Sequence, residues 1–145
     1  MTEGKRSRRE LFRLLGKPFA AAAGGPPAPP AEEAPVEGGR LVVDLSRHPL
    51  RPGTGRRFRG TGAPGSILLA RVSADHLAAV GGDCPACGGA LRFDGARDAV
   101  LCPGCGAAFR LDGRPADGGG GGGASLRSHA CRSAGPRVEI DAIPL

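Results

Sequence analysis

The chain has no Trp and no Tyr, a single Met and only five Phe in 145 residues. The absence of Trp and Tyr leaves little on which successive bases could stack, which counts against a single-strand nucleic-acid binder. Large hydrophobes are also scarce. Leu, Ile, Val and Phe together make 29 residues, against 26 Gly and 14 Pro, a composition at the border between globular and disordered chains. A large core is therefore excluded, and a small one of this kind is commonly supplemented by a metal or by disulfides, because the apolar area buried barely offsets chain entropy. No run of about 20 apolar residues occurs, so no segment reads as a membrane-spanning helix. Paired carboxylates, a nucleophile elbow and a phosphate-binding loop are missing as well. The six-glycine run Gly118–Gly123 lacks the strand-to-helix context and the Lys-Ser/Thr ending of such a loop, and reads as a flexible connection. An autonomous enzyme is not expected.

What charge there is has one sign in excess. The formal net charge is +6, with basic residues concentrated in the first 13 positions and between Arg51 and Arg59. That distribution favours an acidic partner or surface, with no clear nucleic-acid signature. Near the start, Ser7-Arg8-Arg9-Glu10-Leu11-Phe12-Arg13 resembles the twin-arginine export consensus, a route for proteins that fold around a cofactor first. Ala20–Ala23 would then supply small residues for cleavage, whereas Lys17 and Pro18 interrupt the apolar stretch between. The interruption tilts the expectation slightly towards a cytoplasmic protein, with export to the periplasm or cell exterior as the alternative. A basic amphipathic turn over Glu10–Leu15 is the plainer reading of the same residues.

Three regions follow from the composition: a basic segment over 1–23, a Pro/Gly-rich linker over 24–39 (GGPPAPPAEEAPVEGG) that should form no packed element, and an ordered domain over 40–145. Within that domain LVVDL (41–45), a short basic segment near Phe58, SILLARV (66–72) and DHLAAVGG (75–82) read as strands. ALRF (90–93) and AVLC (99–102) flank Asp94-Gly95, a hairpin signal, and AAFRLDG (107–113) continues as strand and turn. SLRSHACRS and RVEIDAIPL alternate apolar and polar residues around Ala134-Gly135-Pro136, as a terminal hairpin does. Many short strands with Gly-rich turns predict an all-β fold.

The five cysteines carry the chemistry. Cys84, Cys87, Cys102 and Cys105 have the spacing C-x2-C-x14-C-x2-C, and Cys131 is left over. Two pairs and a remainder suit a metal site better than a disulfide framework. A CxxC turn presents two sulfurs, and the glycine after each lets backbone N–H groups turn towards the thiolates. Two such turns face to face make a tetrahedral sulfur site, which selects zinc or iron–sulfur chemistry over magnesium or calcium. Zinc and iron both accept four thiolates, so the metal stays open. Neither pair has the helix N-terminus or neighbouring base that would make a reactive thiol. His48, His76 and His129 read as strand or turn residues, and Cys131 as a small core residue.

The order of these features resembles the Rieske iron–sulfur domains over about residues 40–143. In that family a strand like GRLVVDLS and one like SILLARVSADHLAAV lead to a first loop C-P-H-x-G, and a second loop C-P-x-H-G-x-x-F is followed by an Asp-Gly turn. Here the loops are Cys84-Pro85-Ala86-Cys87-Gly88 and Cys102-Pro103-Gly104-Cys105-Gly106-Ala107-Ala108-Phe109, then Leu111-Asp112-Gly113. The resemblance implies a small antiparallel β-sandwich or barrel with a two-loop, rubredoxin-like metal-binding subdomain at about 82–113. Cys84 and Cys102 match the family's cysteines, Ala86 stands at the first histidine position, and Cys105 replaces the second histidine. Cys87 would substitute for the lost histidine. Gly118–Gly123 stands where the family has a proline-containing loop over its cluster. The implied function is electron transfer by a 2Fe–2S cluster with all-cysteine ligation, serving a redox protein partner or a larger oxidoreductase as a subunit. The alternative is a degenerate module in which zinc or a single iron ties the loops together for an interaction role.

Overall fold

In the computed structural model, residues 27–61, 65–116 and 124–141 are described; the twin-arginine-like segment and Gly118–Gly123 lie outside them. No helix among these residues is long and apolar enough to cross a membrane. The described chain is all-β. Its strands are β1 (Glu32–Ala34), β2 (Val36–Glu37), β3 (Arg40–Asp44), β4 (Thr54–Gly60), β5 (Ile67–Ser73), β6 (His76–Gly81), β7 (Arg92–Asp94), β8 (Ala99–Leu101), β9 (Ala108–Arg110), β10 (Ser128–His129), β11 (Cys131–Ala134) and β12 (Arg137–Asp141).

Three sheets result. The central one has the order β1-β4-β5-β6-β10, a second has β11-β12-β3-β2, and a small third has β7-β8-β9. The alternation of strand side chains assigns the central sheet to two separate cores. From β5, Leu69 faces a cluster with Leu41, Val43, Phe58, Val138 and Ile140. Its neighbours Leu68 and Ala70 face the other way, into a cluster with Leu91, Phe93, Val100, Phe109 and Leu126. β6 divides likewise, Ala79 to the first and Val80 to the second. This is why SILLARV reads as a continuous apolar run: both of its faces are covered.

The expectation that 24–39 forms no packed element fails in its second half. β1 pairs in parallel with β4, Glu32 opposite Phe58 and Ala34 opposite Gly60, and Ala34 is buried. A strand edge needs backbone partners more than bulky side chains, and the charges of β1 find partners of their own. Glu32 accepts hydrogen bonds from Arg56 at 2.9 Å and holds His48 Nδ1 at 2.6 Å. The Gly38-Gly39 pair has φ of 58° and 78° and joins β2 to β3, with Glu37 opposite Arg40. Two positive φ values in a two-residue loop are what a type I′ hairpin requires.

Most other expected strands appear where the pattern put them. The Asp94-Gly95 turn is longer than a two-residue hairpin, because Asp94 pairs with Ala99 and four residues lie between. The Asp94 carboxylate accepts from Ala96 N–H at 3.0 Å, turning the chain by its side chain, and Asp98 takes the positive φ of 51°. The terminal hairpin closes as expected, Ala134 opposite Arg137.

Candidate metal centre

The two knuckles stand on the small third sheet and its connection to β6. A bridge between Asp83 and Ala90 closes the base of the first, and the pairing of Leu101 with Ala108 closes the base of the second. Their internal geometry repeats. Gly88 N–H donates to the Cys84 carbonyl at 2.8 Å, as Gly106 N–H donates to Cys102 at 2.8 Å. Cys84 N–H donates to the Gly89 carbonyl at 2.7 Å, as Cys102 N–H donates to Ala107 at 2.8 Å. Gly88 and Gly106 sit at φ of 78° and 80°. That left-handed conformation is open to glycine without a Cβ penalty, which accounts for a glycine after each CxxC.

The turns bring all four sulfurs together. The Sγ atoms of Cys84, Cys87, Cys102 and Cys105 lie within 4.8 Å of one another, with Cys87 to Cys102 at 3.5 Å and Cys84 to Cys105 at 3.8 Å. Cys84 and Cys102 are buried, whereas Cys87 and Cys105 are exposed. The centre is thus inserted by one edge into the core around Phe109 and open to solvent at the other. Gly89 N–H approaches the Cys87 sulfur at 3.4 Å, a bond that strengthens when the sulfur becomes a thiolate. Burial pushes the Cys102 thiol up to about 12, against backbone hydrogen bonds from Cys105 and Gly104. A cation among the sulfurs reverses that preference, since a coordinating thiol gives up its proton.

The donor set does not fit a cluster ligated by two cysteines and two histidines. Among the described residues no histidine joins the four sulfurs. His48 is occupied with Glu32, His129 is buried with Nδ1 2.9 Å from the Asp141 carbonyl, and His76 is exposed at the start of β6. The set does fit a cation that takes four thiolates. Cys131 lies apart, half-buried, with its sulfur 3.8 Å from the Leu77 carbonyl and its thiol pushed up by burial.

One supporting group escaped the sequence reading. Arg57, seen there only as part of a basic strand, is 7% exposed. Its guanidinium donates to the Pro29 carbonyl at 2.9 Å and to Ser66 Oγ at 3.3 Å, and stands 3.6 Å from the Asp83 carboxylate. Asp83 in turn accepts from Ser66 N–H at 2.8 Å. This network holds the residue just before Cys84. A cation at an inward position of β4 is its trace in the sequence, but only the fold reveals the acidic partner 26 residues later.

No family model matches the sequence, and no curated protein does. Solved structures do. The ferredoxin of carbazole 1,9a-dioxygenase from Nocardioides aromaticivorans IC177 superposes with a TM-score of 0.59 at 17% identity, over 72% of this chain and 98% of its own. A chain from a complex of reduced oxygenase and oxidised ferredoxin in carbazole 1,9a-dioxygenase gives 0.58 at 25% identity, over 75% and 98%. The Rieske monooxygenase CntA, solved with L-carnitine, gives 0.53 at 19% identity, over 72% of this chain and 32% of its own. The described chain therefore shares its fold with these proteins, a Rieske-like all-β domain.

Proposed function

We propose that this protein is a small electron-transfer component of an oxidoreductase system, with iron held by Cys84, Cys87, Cys102 and Cys105 in place of a centre ligated by cysteine and histidine. The observation that carries the reading is the half-inserted position of the four sulfurs. Cys84 and Cys102 are buried and Cys87 and Cys105 exposed, so a bound iron is shielded by the core yet reachable from a docked partner. A neighbour of the same fold comes from a complex of ferredoxin with oxygenase, which supports a protein redox partner. Iron supplies reversible one-electron chemistry when bound. Exchanging two neutral imidazoles for thiolates adds negative charge, which favours the oxidised state and lowers the potential.

A second reading has a specific observation in its favour. The matched hydrogen bonds of the two knuckles make a rigid staple, and zinc in the same four thiolates would hold the small sheet together without redox chemistry.

Voltammetry of anaerobically purified protein separates the two. The electron-transfer reading expects a reversible one-electron wave, and expects Cys105→His, which returns an imidazole to the family's position, to shift that wave to higher potential. Metal-loaded protein without any wave would leave only the structural role.

A further inference from the structure

The resemblance to Rieske domains implies two metals bridged by sulfide; the sulfur geometry disagrees. We infer that the four cysteines enclose one metal ion, a mononuclear tetrathiolate centre built on a Rieske-like frame. The inference deepens the electron-transfer reading by naming its centre, yet stands on distances alone.

Four thiolates about 2.3 Å from one tetrahedral ion lie about 3.8 Å from each other along every edge. Two irons bridged by sulfide each carry two thiolates that lean outwards, so sulfurs on different irons are on the order of 5 Å apart or more. Four of the six sulfur pairs would then be long. In this protein all six lie within 4.8 Å, and the two contacts given above measure 3.5 and 3.8 Å.

The identity of the close pairs sharpens the point. By the family's assignment Cys84 and Cys102 share one iron, leaving Cys87 and Cys105 to the other. Contacts of 3.5 and 3.8 Å run from Cys87 to Cys102 and from Cys84 to Cys105. Each crosses the divide that two irons would impose. Room to spread the sulfurs is also limited. A Cβ on Gly89 would stand 3.3 Å from the Cys87 sulfur and 3.5 Å from that of Cys102, and one on Gly104 would stand 3.8 and 3.7 Å from the same two atoms. Backbone therefore closes over the Cys87–Cys102 edge from two loops.

The cause lies in ligand spacing. A first loop of the form C-P-H-x-G places its second ligand two residues after the cysteine. Here the second ligand is Cys87, three residues after Cys84, the same interval as Cys102 to Cys105. Two equal turns converge their sulfurs on one point.

The test measures metal and acid-labile sulfide per chain in the full-length protein purified anaerobically, with a titration of metal-free protein by Co2+ alone. The inference expects one metal per chain, no sulfide, and tetrahedral Co2+ absorption that saturates at one equivalent and is displaced by one equivalent of Zn2+. One iron sustains both this inference and electron transfer, whereas one zinc sustains the inference and overturns electron transfer. Two irons with two sulfides overturn the inference and leave electron transfer standing. Protein that holds no metal and gives no tetrahedral Co2+ spectrum overturns both.

Discussion

Removing the Phe109 ring tests whether the metal and the smaller core are one cooperative unit. Phe109 is fully buried in the cluster that contains Cys84 and Cys102, and β7, β8 and β9 are three residues each. A sheet that short is marginal by itself, so much of the small subdomain's stability must come from its core and, on the proposed reading, from bound metal. Phe109→Ala should cost about 3–5 kcal/mol through lost burial and a residual cavity. Metal binds the folded knuckles and not the open ones, so the loss appears in metal affinity to the extent that the metal-free subdomain opens. At about 1.4 kcal/mol per decade, a loss of about 4 kcal/mol approaches a thousand-fold weakening. Phe58 is the control, equally buried but in the opposite cluster with Val43 and Ile140. Phe58→Ala should lower the thermal midpoint by a comparable amount yet keep metal affinity within about tenfold of the parent, because its cost falls on the sandwich. Chelator competition gives the affinities and thermal unfolding the midpoints. Equal weakening of metal by both variants would refute the separation of the two cores, and unchanged affinity in Phe109→Ala would refute the coupling.

Thiol alkylation at pH 8 offers a second check. In metal-free protein Cys87 and Cys105 are exposed and should react first, while burial raises the Cys102 and Cys131 thiols and so reduces their reactive thiolate fraction at that pH. Their labelling should accelerate as pH rises towards the raised values, and metal should protect the four knuckle cysteines but not Cys131; mass spectrometry of the labelled sites reads the order. A third check concerns the turn between β7 and β8. A Cβ on Gly95 would fall 2.6 Å from the Gly53 Cα, backbone that cannot swing aside, so Gly95→Ala should destabilise the protein by about 1–3 kcal/mol, measured as a lowered denaturation midpoint.

Periodicity made much of the sandwich legible. Leu68, Leu69 and Ala70 announce a strand covered on both faces, and the alternation in RVEID announces a half-buried one. What stayed hidden depended on pairing at a distance. Glu32–Ala34 carries no apolar pattern, and its strand exists because β4 offers an open edge and because Arg56 and His48 meet Glu32. The Gly-Gly turn at 38–39 was a local signal that the surrounding Pro-rich composition masked. The Arg57–Ser66–Asp83 network has residues scattered over three segments, so no window of sequence contains it.

The sequence picked out the four cysteines whose sulfurs the fold brings within 4.8 Å of one another and left the number of metals open, because intervals between cysteines do not by themselves show the turns they close. The distance between sulfurs is fixed by the turn. With the ligand at position 87, the Gly88 N–H bond to the Cys84 carbonyl closes one tight turn that carries both sulfurs of the knuckle. A ligand at position 86 would sit one residue earlier in that turn and could not occupy the place of the Cys87 sulfur. Ala86→His combined with Cys87→Ala makes the two turns unequal and should accordingly lose the tetrahedral Co2+ absorption that saturates at one equivalent; Co2+ binding like the parent's in that variant would show that the ligand interval of the first knuckle does not set the site.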